Sequence, residues 1–387
     1  MQQCALDVTK IPLSLYIHWP WCVQKCPYCD FNSFRQNEVN PDVGDRYVRA
    51  LMQEIESIKE WDGRRSIQSI FIGGGTPSLM TASQLETLLD AVQKSFALAS
   101  DVEITLEANP GTLDEERFAA FAQLGVNRLS LGIQSLEDRF LRVLGRIHNR
   151  ADALRAIERV RSLFPQWNLD LMFGLPGQSM RQLRRDVRRI SQMGSTHLSC
   201  YQLTIEEGTY FAKVEPEGIP ADDQLAQYQA RVVEWLSEAG FERYEVSAYA
   251  KAGAQCRHNR NYWEYGDYLA LGAGAHGKMT RADGIYRKAN EKNPLRYMRS
   301  IRSKGQAHRL WRVERDDIPF EFMLNALRLR DGVLSAYWEE RTGLPWDAIA
   351  QKVTYLQKEG LLENRTDRIV TTEKGYLFLS DVQEEFL

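Results

Sequence analysis

Cys22-Val-Gln-Lys-Cys26-Pro-Tyr-Cys29 decides how this chain is read. Three thiols fall in one short C-x3-C-x2-C run, directly after Pro12 to His18, an apolar segment that reads as a buried strand. A structural zinc site generally needs four ligands, often two C-x2-C pairs. No second pair exists here, and Cys4, Cys200 and Cys256 are scattered. A disulfide framework belongs to small secreted chains. Three thiolates on one loop can hold three irons of a 4Fe–4S cluster and leave the fourth iron open. The amine and carboxylate of a methionine would suit that open iron. A zinc site completed by His18 is the competing reading.

Outward from this loop, strand-like and helix-like segments alternate. Strands are expected at Ser66–Ile72, Val102–Leu106, Asn127–Ile133, Asn168–Phe173 and His197–Leu203. Helices are expected over Val43–Trp61, Thr81–Phe96, Asp114–Leu124, two stretches between Leu136 and Phe164, and Ser179–Met193. Such repetition predicts a parallel sheet with right-handed crossovers. Periodicity leaves open whether the sheet is a partial barrel or doubly wound. After a helix at Asp222–Ala239, residues 242–310 are rich in Tyr, Gly, Arg and Asn and lack a clear period. Helices from Ile318 and over Trp346–Glu359, a hairpin over Leu361–Thr372 and a last helix over Lys374–Val382 resemble a winged-helix module.

Polar residues at the carboxyl ends of parallel strands converge on one face, where such sheets place ligands. Glu107, Gln134 and Asp170 occupy such positions, and Arg146 follows the helix after Gln134. Gly73-Gly74-Gly75-Thr76-Pro77 follows the second strand. Its glycines let a ligand approach the backbone, and a side chain at Gly74 is expected to crowd that ligand.

The cysteine spacing after a first strand resembles the radical S-adenosylmethionine (SAM) superfamily. That resemblance implies a cluster on Cys22, Cys26 and Cys29, with Tyr28 beside adenine. It also implies one-electron cleavage of the sulfonium to methionine and a 5′-deoxyadenosyl radical. YIHWPWCVQKCPYCDF, IFIGGGTPS, EANPGT, GIQS, LGRIH and LDLMFGLPGQ, in this order, are similar to the oxygen-independent coproporphyrinogen III oxidase family over roughly residues 12–382. This implies an α/β fold, a partial (β/α)6 radical SAM barrel over residues 1–240. An irregular connecting region over 241–310 and a mostly helical, winged-helix-like domain over 311–387 would follow. It places Tyr16, Tyr28, Gly74, Gly75, Thr76, Glu107, Gln134, Arg146 and Asp170 around SAM.

Oxidases of that family resemble C-x3-C-x2-C-x-C and carry a longer segment before the cluster. Here Phe31 stands at the fourth cysteine position and 21 residues precede Cys22. His258-Asn259-Arg-Asn-Tyr262-Trp263 resembles the H-N-x-x-Y-W pattern of the family's heme chaperone branch. The expected function is therefore heme binding and delivery to heme-requiring enzymes, including membrane respiratory complexes, without oxidase activity. The oxidase, converting two propionates of coproporphyrinogen III to vinyls, is the alternative. Imidazole and phenolate both ligate heme iron, and indole can stack on porphyrin. His258, Tyr262 and Trp263 are the expected heme residues, with glycine-flanked His276 second and Cys256 unranked against Tyr262.

The formal charge of −3 argues against a polycation built for nucleic acid, and residues 344–360 offer few basic side chains for a recognition helix. Two basic stretches remain, Arg181–Arg189 and Arg296–Arg312, most simply read as solvated faces. No apolar run is long enough to span a bilayer, and residues 1–10 lack a signal-peptide core, so a cytoplasmic location is expected. A one-electron donor is implied. A homodimer and peripheral membrane contact stay open.

Overall fold

The structure, a computed structural model, describes residues 6–36, 42–112 and 114–387, so Cys4 lies outside it. Six strands follow one another in space as in sequence: β1 Leu13–Trp19, β2 Ile67–Gly74, β3 Leu98–Ala108, β4 Arg128–Gln134, β5 Gln166–Phe173 and β6 His197–Gln202. Each pairs in parallel with the next. The helices between them are α1 Val43–Ile58, α2 Ala82–Ser95, α3 Glu115–Gln123, α4 Asp138–Val143, α5 Arg150–Leu163 and α6 Met180–Ser191. A doubly wound sheet reverses its strand order at a switch point. No reversal occurs among these six strands, so right-handed crossovers keep the helices on one face, as in a barrel. β1 is buried along almost its whole length, as expected where both faces of a parallel strand are covered. Reciprocal capping boxes at Thr81/Gln84 and Asn149/Asp152 fix where α2 and α5 begin.

The sheet does not stop at six strands. After helix α7, Asp222–Glu238, come β7 Glu242–Arg243, β8 Ala248–Ala250, helix α8 Arg257–Trp263, β9 Asp267–Leu271, β10 His276–Arg281, β11 Gly284–Asn290, helix α9 Pro294–Lys304 and β12 His308–Arg312. The full order is β12-β11-β10-β9-β1-β2-β3-β4-β5-β6-β8-β7, a 12-stranded sheet whose edges do not meet. β9 lies parallel to β1, while β10 to β12 and β7 to β8 are antiparallel additions. The barrel is therefore partial.

This corrects the reading of residues 242–310 as irregular. The strands are real, but some of their inward positions are charged, so no apolar alternation marks them. Lys278 on β10 and Lys288 on β11 are almost fully buried. Lys278 Nζ donates to Asp267 Oδ1 (2.8 Å), and Arg65 donates to Asp267 Oδ2 (2.9 Å). Lys288 Nζ donates to Glu54 on α1 (2.6 Å). Buried charge survives only when paired in this way.

One large core joins the sheet to its helices. A second is shared between Tyr244, Tyr265 and Ile285 and the C-terminal helices, which include α10 Ile318–Ala326, α11 Ala336–Thr342 and α12 Asp347–Lys358. The hairpin expected at 361–372 is reduced to a Leu362–Thr371 bridge and a short strand, Arg368–Ile369, paired with Val333–Leu334. The last helix is broken at Phe378. No helix among the described residues is long and apolar enough to cross a membrane.

Asp267 accepts from Lys278, Arg65 and Thr280 with no exposure to water. Asp267→Ala removes the carboxylate that the buried Lys278 and Arg65 both bond and should cost about 3–5 kcal/mol in denaturant unfolding. Asp267→Asn, which keeps the shape and one acceptor oxygen, should cost less than the alanine variant.

Candidate functional site

The carboxyl ends of β1 to β6 open onto a cavity of about 310 Å³. The cysteine loop forms one part of its lining. Backbone bonds hold that loop to the glycine turn: Gly75 N donates to Trp19 O (2.7 Å) and Thr76 N to Trp21 O (2.8 Å). A short parallel pair, Trp21–Cys22 with Phe34–Arg35, closes the loop's base. Trp19 and Trp21 pack edge-on against Tyr47 of α1.

Cys22, Cys26, Tyr28, Cys29, Gly74, Gly75, Thr76, Glu107, Gln134, Arg146 and Asp170 all line this one cavity. Of the residues expected there, Tyr16 is absent. Its hydroxyl donates to His18 Nδ1 (2.9 Å), and it faces a second cavity. His18 Nε2 donates to the Asn32 carbonyl (2.8 Å), so neither ring nitrogen is left to complete a zinc site. No three His, Cys, Asp or Glu side chains among the described residues converge on one point; the thiols border the cavity instead.

Electrostatics inside the cavity are shaped by burial. Burial pushes the Cys22 and Cys29 thiols above their ordinary value. Burial, reinforced by Asp170, pushes Glu107 up to about 7, against the pull of the Gly74 N–H that donates to its Oε2 (3.0 Å). Burial also raises Asp170, which Asn168 (2.6 Å) and Ser130 (3.4 Å) bond. Arg146 bridges the parts. Its guanidinium donates to Gly132 O (2.7 Å) and toward Cys26 Sγ (3.7 Å), while its buried Nε has no partner. Such an orphaned donor among thiols and carboxylates suits a bound anionic or zwitterionic group.

Two backbone positions are unusual. Gly74 has φ +115°, and a Cβ there would sit 2.5 Å from the His18 ring. The expected clash with ligand is thus first a clash with protein. Gln134 has φ +65°, rare outside glycine, with Oε1 held by the Tyr201 hydroxyl (2.7 Å). Tyr201 and Gln202, at the end of β6, line the cavity and were not among the expected residues. Applying the strand-end rule to the sixth strand would have found them.

The second cavity, about 440 Å³, is lined by Tyr16, His18, Phe31, Asn32, Gly74, Glu107, Tyr262, Trp263, Tyr268, Gly274, His276 and Asn325. It shares Phe31, Gly74 and Glu107 with the first. Tyr262 and Trp263 line this cavity. His258 is a correction: it is fully buried, Nδ1 bonded to Ser69 Oγ (2.9 Å) and Nε2 to Tyr262 Oη (2.9 Å), and stacked on Phe71. Burial pushes it down to about 3, so it is a neutral structural ring and does not reach the cavity. Cys256 is also buried off the cavity, its thiol against Glu103. Neither basic stretch lines either cavity; Arg185 pairs with Glu137 and Arg184 lies over Trp235.

A family model described as the radical SAM superfamily matches residues 16–190, and one described as the HemN C-terminal domain matches residues 313–378. Heme chaperone HemW of Haemophilus influenzae is 43% identical over 382 residues, covering 97% of this chain and 98% of that protein. Heme chaperone HemW of Escherichia coli is 43% identical over 378 residues, with the same coverage. Among solved structures, coproporphyrinogen III oxidase (HemN) from Escherichia coli, a radical SAM enzyme, superposes with TM-score 0.83 at 22% identity. It covers 98% of this chain and 90% of that one, a likeness of fold.

Glu107 ionises near 4.5 when unfolded and near 7 when folded. Between these values the folded chain holds the extra proton, so its stability should fall as pH rises through that window. Glu107→Gln should remove that fall, on the order of 1–3 kcal/mol, in unfolding curves of the ligand-free protein taken across the window. Parallel curves for the two proteins would refute the shifted carboxyl.

Proposed function

The chain belongs to the family of heme chaperones named HemW, a branch of the radical SAM proteins, and from that premise we propose that it carries heme beside a 4Fe–4S cluster and SAM. The observation that carries this reading is the pair of adjoining cavities that share Phe31, Gly74 and Glu107. One is bordered by three thiols and buried polar groups. The other is walled by aromatic rings, which suit a porphyrin face.

In the first cavity, Cys22, Cys26 and Cys29 would hold the cluster. The turn at Gly74 to Thr76, with Glu107, Gln134, Arg146 and Asp170, would hold SAM, and Tyr28 would pack beside it. When bound, the cluster supplies one-electron chemistry to the sulfonium. The protein's own residues have simpler tasks. Gly74 presents a backbone N–H that already orients Glu107. Arg146 donates toward Cys26 Sγ and to Gly132 O, which holds its guanidinium between the cysteine loop and the fourth strand. Tyr16, on the second cavity, would contact heme in place of SAM.

The second cavity would hold heme against Tyr262 and Trp263. Heme-requiring enzymes, including membrane respiratory complexes, are the proposed acceptors, with a one-electron donor serving the cluster and the cytoplasm as location. Residues 1–240 would form the cofactor unit, 241–310 the heme-site unit and 311–387 the C-terminal unit. The oxidase reading is second because Phe31, 57% exposed at the junction of the cavities, replaces the cysteine that oxidases resemble at this place.

Anaerobic reconstitution should give about four irons per chain, and alanine at all three cysteines should abolish the cluster's absorption and paramagnetic signal. The loaded protein should bind heme and leave coproporphyrinogen III unchanged under reducing, anaerobic conditions. Repeated formation of protoporphyrinogen IX would replace the chaperone reading with the enzyme.

A further inference from the structure

We propose that His276 is the side chain that ligates the iron of the carried heme, with the porphyrin against the Tyr262–Trp263–Tyr268 wall; this rests on the heme-carrier reading above. The chain has six histidines, and bonding or position sets five of them aside. His18 and His258 have both ring nitrogens in hydrogen bonds, as described. His148 is bonded to Asn109 Oδ1 (3.2 Å) and Ile133 O (3.2 Å). His197 is bonded to Asn168 Oδ1 (2.7 Å) and Tyr244 Oη (2.9 Å). An imidazole whose two nitrogens are engaged has no free lone pair for a metal.

His308 and His276 remain. His308 lies edge-on to Trp61 (5.5 Å) in a separate depression between β12 and α9. His276 opens β10, is exposed, carries no side-chain hydrogen bond, and lines the aromatic cavity. It is the one histidine that combines a free ring with a place on that cavity.

The competing ligand chemistries are mostly committed. The hydroxyls of Tyr16 and Tyr262 bond His18 and His258. Tyr268 Oη accepts from Arg287 (2.8 Å) and is the remaining phenol. The loop before His276 is already fixed: Gly272 N donates to Glu54 (2.9 Å), Ala273 N to Tyr47 Oη (2.7 Å), and Gly274 N to Glu291 O (3.0 Å). A fixed loop lowers the ordering cost of binding. Burial, together with the charges of Lys292 and Arg287, holds His276 below its ordinary value, a shift toward the neutral ring that can ligate iron. Those same cations would face porphyrin carboxylates. Ligation is a lone-pair donation from imidazole to iron, with no change of oxidation state.

The test uses the full-length chain titrated anaerobically with ferric heme, read by Soret absorption, magnetic circular dichroism and paramagnetic resonance. Wild type should show imidazole ligation. His276→Gly should lose that signature and bind heme roughly tenfold more weakly, and millimolar imidazole should restore the signature. His258→Gln should keep it. Circular dichroism and the cluster's absorption report on folding of each variant. An unchanged spectrum in His276→Gly overturns the assignment alone, as does a phenolate signature from Tyr268. Loss of the signature in a folded His258→Gln also overturns it. If wild type binds no heme, the carrier reading falls and takes this assignment with it.

Discussion

One buried carboxylate holds the two halves of this protein in register. Glu54, on the inner face of α1, is fully buried and accepts from Lys288, Asn290, Tyr297 and the Gly272 backbone. The first two donors come from β11, the third from α9, and the last from the loop after β9. A single acceptor on the barrel's first helix thus fixes strands that lie more than 200 residues away in sequence. Removing one member of such a group strands the others away from water, which is why buried polar networks specify geometry so sharply. The second cavity takes part of its shape from this anchor, since the loop it pins carries Gly274 and His276.

The barrel itself needs no such device. Several of its strands are apolar and mostly buried, and α2, α5 and α6 begin at capping boxes. Those features are local, so the strand–helix alternation through residue 203 could be read directly. The rule that ligand groups gather at the carboxyl ends of parallel strands then located Glu107, Gln134 and Asp170. The structure adds how they are held. Gly74 leaves room for the His18 ring, Gln134 adopts a backbone conformation that L residues avoid, and Tyr201 clamps its side chain.

What the residues did not reveal has one common physical cause, which is pairing at long range. β10 and β11 carry inward lysines whose partners lie on α1 and β9, so a hydrophobic-period reading passes over them. His258 looks like a metal ligand because its motif groups imidazole, phenol and indole on one helical turn. Beyond Tyr262 on its own helix, its partners Ser69 and Phe71 come from β2 and could not be inferred from spacing. The choice between barrel and doubly wound sheet likewise turned on strand order, a property of pairing that local periodicity does not contain.

Asn32 shows how closely the two cavities are joined. It lies three residues after Cys29, and its carbonyl accepts from His18, whose ring occupies the space behind Gly74. Its amide donates to Ala273 O (3.0 Å) and Lys292 O (2.8 Å), the backbone around the His276 loop. Gly274 is required there, because a Cβ would overlap the Asn32 amide at 2.3 Å. The loop that presents the thiols and the loop that presents the free imidazole therefore meet through one side chain. A shift of either loop must break bonds of the other, and those bonds are partly shielded from water. The partition between the cavities, built from Phe31, Gly74 and Glu107, is consequently set by the conformation of the cysteine loop, and cannot be varied independently of it.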